Sequence, residues 1–171
     1  MDKLLKDSLL FLQQIFDNLK IVGISTDNYF LDHLCYRTGS LEEYYNKKEE
    51  FDKYGKLLIE SEVNGRLIST FAFHKSLIYK NFEIPMIELP APKPGKNYQS
   101  GLEHVEFVIN ESLENFIKRY SNLEFDISNI NDPINPDVKI SFPEGLTVKF
   151  HRESLDKIIE KEKSMGIENI K

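Results

Sequence analysis

Along residues 3–22 the apolar positions Leu5, Leu9, Leu12, Phe16 and Leu19 recur at steps of four and three. That period sets them on one face of a helix, the face of an element that packs on its own domain. Gly23 follows and predicts the stop. From residue 31 the period changes to two, and LDHLCYR reads as a strand. Ser40-Leu41-Glu42-Glu43 is a capping box: the serine hydroxyl accepts the third helical N–H and Glu43 reaches back. It predicts a helix running to Tyr54 and stopped by Gly55. Three strands are expected next, KLLIESEV (56–63), RLISTFAFH (66–74) and NFEIPMIEL (81–89). Asn64-Gly65 between the first two is a hairpin signal, because both residues tolerate positive φ.

PAPKPGKNYQSG, residues 90–101, reads as a linker, and beyond it the order starts again. EHVEFVI is a strand. Ser112-Leu113-Glu114-Asn115-Phe116 mirrors Ser40-Leu41-Glu42-Glu43-Tyr44 and opens a second helix. Shorter strands are expected around 124–128, 137–141 and 146–151, the first two split by the polar turn NINDPINPD. Ser154 is expected to cap a final charged helix over 155–163. The chain therefore reads as a duplication of one supersecondary unit in an α+β fold. The predicted organisation is a single domain over 1–171. It comprises an N-terminal helix (1–23), a βαβββ module (30–90), a linker (91–101), a second βαβββ module (102–152), and a C-terminal helix and tail (153–171).

The totals narrow the function. With 40% hydrophobic and 12% aromatic residues the chain can bury a core, and with 29% charged residues it stays in solution. The formal net charge is −6 and the basic residues are scattered, so no nucleic-acid partner is expected. Cys35 is the single cysteine, which excludes an internal disulfide and reads as a small buried hydrophobe. The N-terminal apolar run is short, carries Asp2 and Asp7 and lacks a small-residue cleavage site. No signal peptide, no membrane span and a cytoplasmic location are expected.

Strand alternation sorts the remaining chemistry onto one face. His33, Cys35 and Arg37 share a face against Leu34 and Tyr36; His104 and Glu106 share one against Val105, Phe107 and Ile109. Glu88 opposes Ile87 and Leu89, and Thr147, Lys149 and His151 oppose Val148 and Phe150. The polar face thus gathers His33, Glu88, His104, Glu106, Lys149 and His151, with three of the four histidines. A solvated sheet face does not need histidines. Imidazoles beside carboxylates inside a curved sheet suit a divalent first-row cation. The fourth histidine, His74, stands at a strand end and is expected to play no ligand role. His33 and His104 occupy equivalent places in the repeat, DHLCYR and EHVEFV.

These stretches, with NGRLISTFAFHK, MIELPAPKPGKNY, GLEHVEFVI and LTVKFHRESLDKI, resemble the YecM family within the vicinal oxygen chelate superfamily. The resemblance covers most of 30–160. It implies two modules forming a curved mixed sheet around a cleft, with metal ligands from the first and fourth strands of each module. Carried over, those ligands are His33, Glu88 and His104. The fourth position is normally an acid, but the last strand reads TVKFH, so either His151 fills it or Lys149 occupies it. The resemblance further implies a divalent ion (Zn, Ni, Mn or Fe) and a small-molecule ligand with neighbouring oxygens. The implied reaction is an isomerase or lyase type, through a stabilised enolate. Glu106 is expected to move a proton or to orient an imidazole, and Arg37 to clamp a substrate carboxylate or pair with a local acid. Two alternatives accompany this reading: a non-catalytic small-ligand-binding module, and an iron-dependent dioxygenase. A monomer or homodimer is expected, with both modules closing within one chain because the linker is short.

Overall fold

The computed structural model describes residues 2–143 and 145–166; the expected tail at 167–171 lies outside the described residues. The strands are β1 (Phe30–Arg37), β2 (Gly55–Val63), β3 (Arg66–Tyr79), β4 (Phe82–Pro90), β5 (Gly101–Val108), β6 (Asp137–Ser141) and β7 (Thr147–His151). The helices are α1 (Asp2–Ile21), α2 (Leu41–Asp52), α3 (Leu113–Arg119) and α4 (Leu155–Ser164). The strands form one mixed sheet in the order β2-β3-β4-β1-β5-β7-β6, open at both ends. Each half contains a parallel pair, β1 with β4 and β5 with β7. The halves join where β1 and β5 run antiparallel, so both modules close within one chain.

Alternation divides the sheet into two faces. Leu31, Leu34, Ile87, Leu89, Val105, Phe107, Val148 and Phe150 point to the side covered by α1, α2 and α3, and form the main core. Met86 and Ile59 point to the other side, where Leu155, Ile158 and Ile159 of α4 pack on them. The sheet is thus covered by three helices on one face and partly by α4 on the other.

Several local expectations shift. The buried stripe of α1 is Leu4, Ser8, Phe11, Leu12, Ile15 and Leu19, while Leu5 and Leu9 are each 37% exposed. A buried serine inside the stripe hides the true face from an apolar count. Phe16 lies with its ring 5.2 Å from Tyr79 and 5.0 Å from Phe82. β3 runs on to Tyr79 and turns through Lys80 at φ 53°. The Asn64-Gly65 turn has both residues at positive φ, as that hairpin type requires. The strand expected near 124–128 is reduced to one bridge, Asp126 to Lys139. There the Asp126 carboxylate takes the Ser128 N–H, a local turn competing with the ladder.

Both capping serines of the repeat behave as predicted: Ser40 Oγ accepts from Glu43 N–H at 3.1 Å and Ser112 Oγ from Asn115 N–H at 3.2 Å. Glu43 reaches back one residue further than expected, accepting from Gly39 N–H at 2.8 Å. Gly55 does not stop α2, which ends at Asp52, but opens β2. A Cβ there would stand 2.4 Å from the Ala72 carbonyl oxygen. Gly55→Ala must therefore push β2 from β3, and we expect a loss of about 1–3 kcal/mol in urea unfolding. An unchanged midpoint would show that the hairpin yields freely. Ser154 makes no cap bond to α4; the Leu155 N–H goes instead to Asp32 Oδ2 at 2.9 Å.

Candidate metal centre

The repeated acid–histidine pairs coincide with two β-bulges. Leu31 pairs with Phe107 and His33 with the next residue, Glu106, so Asp32 is an extra residue in β1. Cys35 pairs with His104 and Tyr36 with Leu102, so Glu103 is an extra residue in β5. In a regular strand the acid would point away from its histidine. The bulge breaks the alternation and re-aims the side chain. Asp32 Oδ2 lies 2.9 Å from His33 Nδ1, and Glu103 Oε2 lies 3.4 Å from His104 Nδ1. An ionised carboxylate only accepts, so each Nδ1 donates and each Nε2 is left facing inward. That is how carboxylates orient imidazoles toward a cation.

His33, Glu88, His104 and Glu106 converge there, each offering a ligand atom with all four within 4.8 Å of one another. Glu106 Oε1 is 3.1 Å from His104 Nε2 and 3.4 Å from His33 Nε2, and Glu88 Oε2 is 3.7 Å from His33 Nε2. The Glu88 side chain is 18% exposed and opens to solvent, whereas that of Glu106 is 3% exposed. A cleft of about 290 Å³ leads to the group, lined among others by Glu88, His104, Glu106, Lys149, Thr70 and Arg66. A larger depression of about 460 Å³ lies beside α1 and α2 and has no histidine in its wall.

The register decides the fourth position. Cys35 stands beside Glu88 as Glu106 stands beside Lys149, so Lys149 occupies the place equivalent to Glu88. Its Nζ donates to Glu106 Oε1 at 2.6 Å. Burial opposes the Lys149 charge, but Glu106 and Glu88 hold its pKa above the usual lysine range. Burial opposes ionisation of Glu106 too, and Lys149, His33 and His104 outweigh it and hold that carboxyl well below the usual range. Burial would keep His33 neutral, yet Glu106, Asp32 and Glu88 raise it to about 10. At His104 burial is likewise outweighed, chiefly by Cys35. Acids crowded round buried imidazoles make a locus that attracts positive charge.

The other sequence candidates fall nearby or apart. His151 is fully buried in a second group with Asp32 and His33, its Nε2 3.7 Å from Glu106 Oε2. Burial lowers its pKa, and neither ring nitrogen has a hydrogen-bond partner among the described residues. Arg37 pairs through Nη2 with Glu103 and lies over the Tyr98 ring, 4.6 Å from its centroid. It supports the acid behind His104 and stands apart from the cleft lining. Cys35 is buried and near His104 and Glu103. His74 is exposed on β3. Sequence reasoning missed Asp32 and Glu103 as orienting acids, although their pairing with histidine in both modules was the signal. It also missed Arg66.

The residues present fit a divalent cation. His33 Nε2 is buried without a hydrogen-bond partner among the described residues and faces two carboxylates. Two imidazoles and two carboxylates suit Zn, Ni, Mn or Fe by donor type.

Paired modules whose first strands meet edge to edge, with histidine and glutamate gathered there, have the fold of the vicinal oxygen chelate proteins. Streptomyces coelicolor methylmalonyl-CoA epimerase, solved as its E43L variant with 2-nitronate-propionyl-CoA, shares this fold. The two superpose with a TM-score of 0.52 at 10% identity, over 74% of this chain and 95% of that one. More narrowly, the family model for YecM protein matches residues 1–145, and the chain belongs to the YecM family. Protein YecM of Escherichia coli is 25% identical over 90% of this chain and 89% of its own length. The solved structure called Structural Genomics, Protein EC4020 matches with a TM-score of 0.79 at 23% identity, covering 94% of this chain and 92% of that one. Among the described residues no helix is long and apolar enough to cross a membrane.

Proposed function

We propose that this protein is a metal-dependent enzyme of the vicinal oxygen chelate type, acting on a small molecule with neighbouring oxygens as an isomerase or lyase. The observation that carries the reading is the convergence of His33, Glu88, His104 and Glu106 at the inner end of the cleft. His33, His104 and the two glutamates would hold the cation, whose chemistry is Lewis-acid polarisation of a carbonyl. Asp32 and Glu103 fix the imidazoles. Lys149 offsets the charge of Glu106, and a bound divalent cation would stabilise an oxygen gaining negative charge. Glu88, the more open acid, would serve as the base toward a bound substrate when it does not hold the cation, whereas Lys149 locks Glu106 as a charged anchor. With His33, His104 and one acid, an iron-dependent oxygen reaction uses the same donors.

A second reading has its own support. Lys149 stands where the repeat would place a fourth acid and already supplies a cation to Glu106. A non-catalytic binding module of this fold would use that internal charge in place of a metal. Elemental analysis of protein purified without chelator or His-tag separates the two. We expect near-stoichiometric metal in the wild type, lost in His33→Ala and His104→Ala while both stay folded. A wild type that is empty and takes up no Zn, Ni, Mn or Fe would favour the binding module. Oxygen uptake by the Fe(II)-loaded protein with catechols tests the oxygenase branch.

A further inference from the structure

We propose that the ligand of this cleft carries an acidic group, a carboxylate or a phosphate, gripped by Arg66 at a distance from the metal centre. The part concerning the metal rests on the reading above; the part concerning Arg66 does not. Arg66 opens β3 directly after the Asn64-Gly65 turn and lines the cleft together with Ile68 and Thr70. These alternate residues share one face of the strand. Thr70 is the register neighbour of Glu88. Arg66 is four residues further along, roughly 13 Å from Thr70 at strand rise.

Among the described residues the Arg66 Nε is buried without a partner, and no acid lies within ion-pairing distance of the guanidinium. Arg37 Nε is likewise buried without a partner among the described residues, but its Nη2 pairs with Glu103, and Arg119 pairs with Glu111. A buried donor on a cation without an acceptor is costly, and an anion satisfies it. Of the other charges in the cleft wall, Lys149, Asp132 and Asp137 are already engaged. Lys149 is tied to Glu106. Asp132 Oδ1 holds the Ile134 and Asn135 N–H groups, and Asp137 accepts from Asn129 at 2.6 Å. Glu162 reaches into the cleft from α4, and its pKa is raised by burial and by Glu88. Arg66 is therefore the cation in this wall without an ion-pair partner among the described residues, and its planar fork suits a bidentate carboxylate or phosphate. A ligand bridging from the metal centre to Arg66 would be elongated, with its acid on the order of ten ångströms from the chelating oxygens.

The chain has four arginines, so Nε–H resonances of arginine-labelled protein are simple to follow. The Arg66 signal is assigned by its loss in Arg66→Lys. On titration of metal-free protein with acetate or inorganic phosphate we expect that signal to shift saturably while the exposed Arg152 does not. The anion that saturates at the lower concentration names the acid. A shift no larger than that of Arg152 with either anion overturns the proposal, whatever the metal content. Zn-loaded protein should further bind 3-(3,4-dihydroxyphenyl)propanoate about tenfold tighter than 4-propylcatechol. Arg66→Gln should abolish the difference and leave 4-propylcatechol unaffected. A preference that survives Arg66→Gln also overturns the proposal. Absence of any zinc-dependent catechol binding would overturn the metal reading alone, because the anion titration still decides Arg66.

Discussion

Asp32→Ala should loosen the proposed metal centre and the C-terminal helix together. The carboxylate is fully buried, and one oxygen accepts from both His33 Nδ1 and the Leu155 N–H, each at 2.9 Å. Alanine leaves two buried donors without an acceptor, and each costs about 1–3 kcal/mol. We expect a loss of about 2–5 kcal/mol in urea unfolding, with faster amide exchange in α4. Metal affinity should fall about 10–100-fold, because the His33 ring loses its orientation. Asp32→Asn separates the two roles. Its amide oxygen still accepts both bonds, so α4 stays docked, but the charge that favours the Nδ1–H tautomer is gone. We expect Asn to retain most of the helix protection and to lose about tenfold in metal affinity. Equal loss of both properties in Asn and Ala would mean that the carboxylate acts only as a fold element.

The second large effect lies on the far face of the sheet. Glu60 is 7% exposed, and its Oε2 accepts from Lys48 Nζ at 2.5 Å, Tyr44 Oη at 2.6 Å and Ser69 Oγ at 2.7 Å. Burial disfavours the carboxylate, but the Lys48, Tyr44 and Ser69 hydrogen bonds prevail and lower its pKa. A folded-state pKa below the unfolded one contributes stability above the unfolded value, about 4.3. That contribution is lost as pH falls through the lower folded value. The same carboxylate pushes Tyr44 above the usual tyrosine range, with burial the larger cause. Glu60→Ala should cost about 2–4 kcal/mol at pH 7, since α2 loses its hydrogen bonds to β2 and keeps that of Tyr44 to Ser69 on β3. The gap between variant and wild type should narrow below pH 4. Urea midpoints measured from pH 7 to pH 3 check this, and a pH-independent gap would assign the loss to packing alone.

The sequence by itself determined the units and their order. The period of α1, the capping serines Ser40 and Ser112, the Asn64-Gly65 turn and the alternation in β1, β4, β5 and β7 are local signals. A residue's neighbours along the chain suffice to produce them. The repeat also determined that His33 and His104 are equivalents, and alternation put both on the face opposite Leu34 and Val105. The tertiary structure decided the rest, because it depends on register between distant strands. Whether Asp32 and Glu103 face their histidines or the opposite side is set by bulges that exist only when β1 pairs with β5. Lys149 rather than His151 took the place matching Glu88 because β7 lies parallel to β5 in one register. The α4 cap passed from Ser154 to Asp32, since that buried carboxylate reaches the N–H of Leu155, 123 residues away, across the fold. Arg66 reads in the sequence as one more charge at a hairpin. Only the assembled cleft, which leaves its Nε buried and unanswered, distinguishes it from a solvated surface arginine.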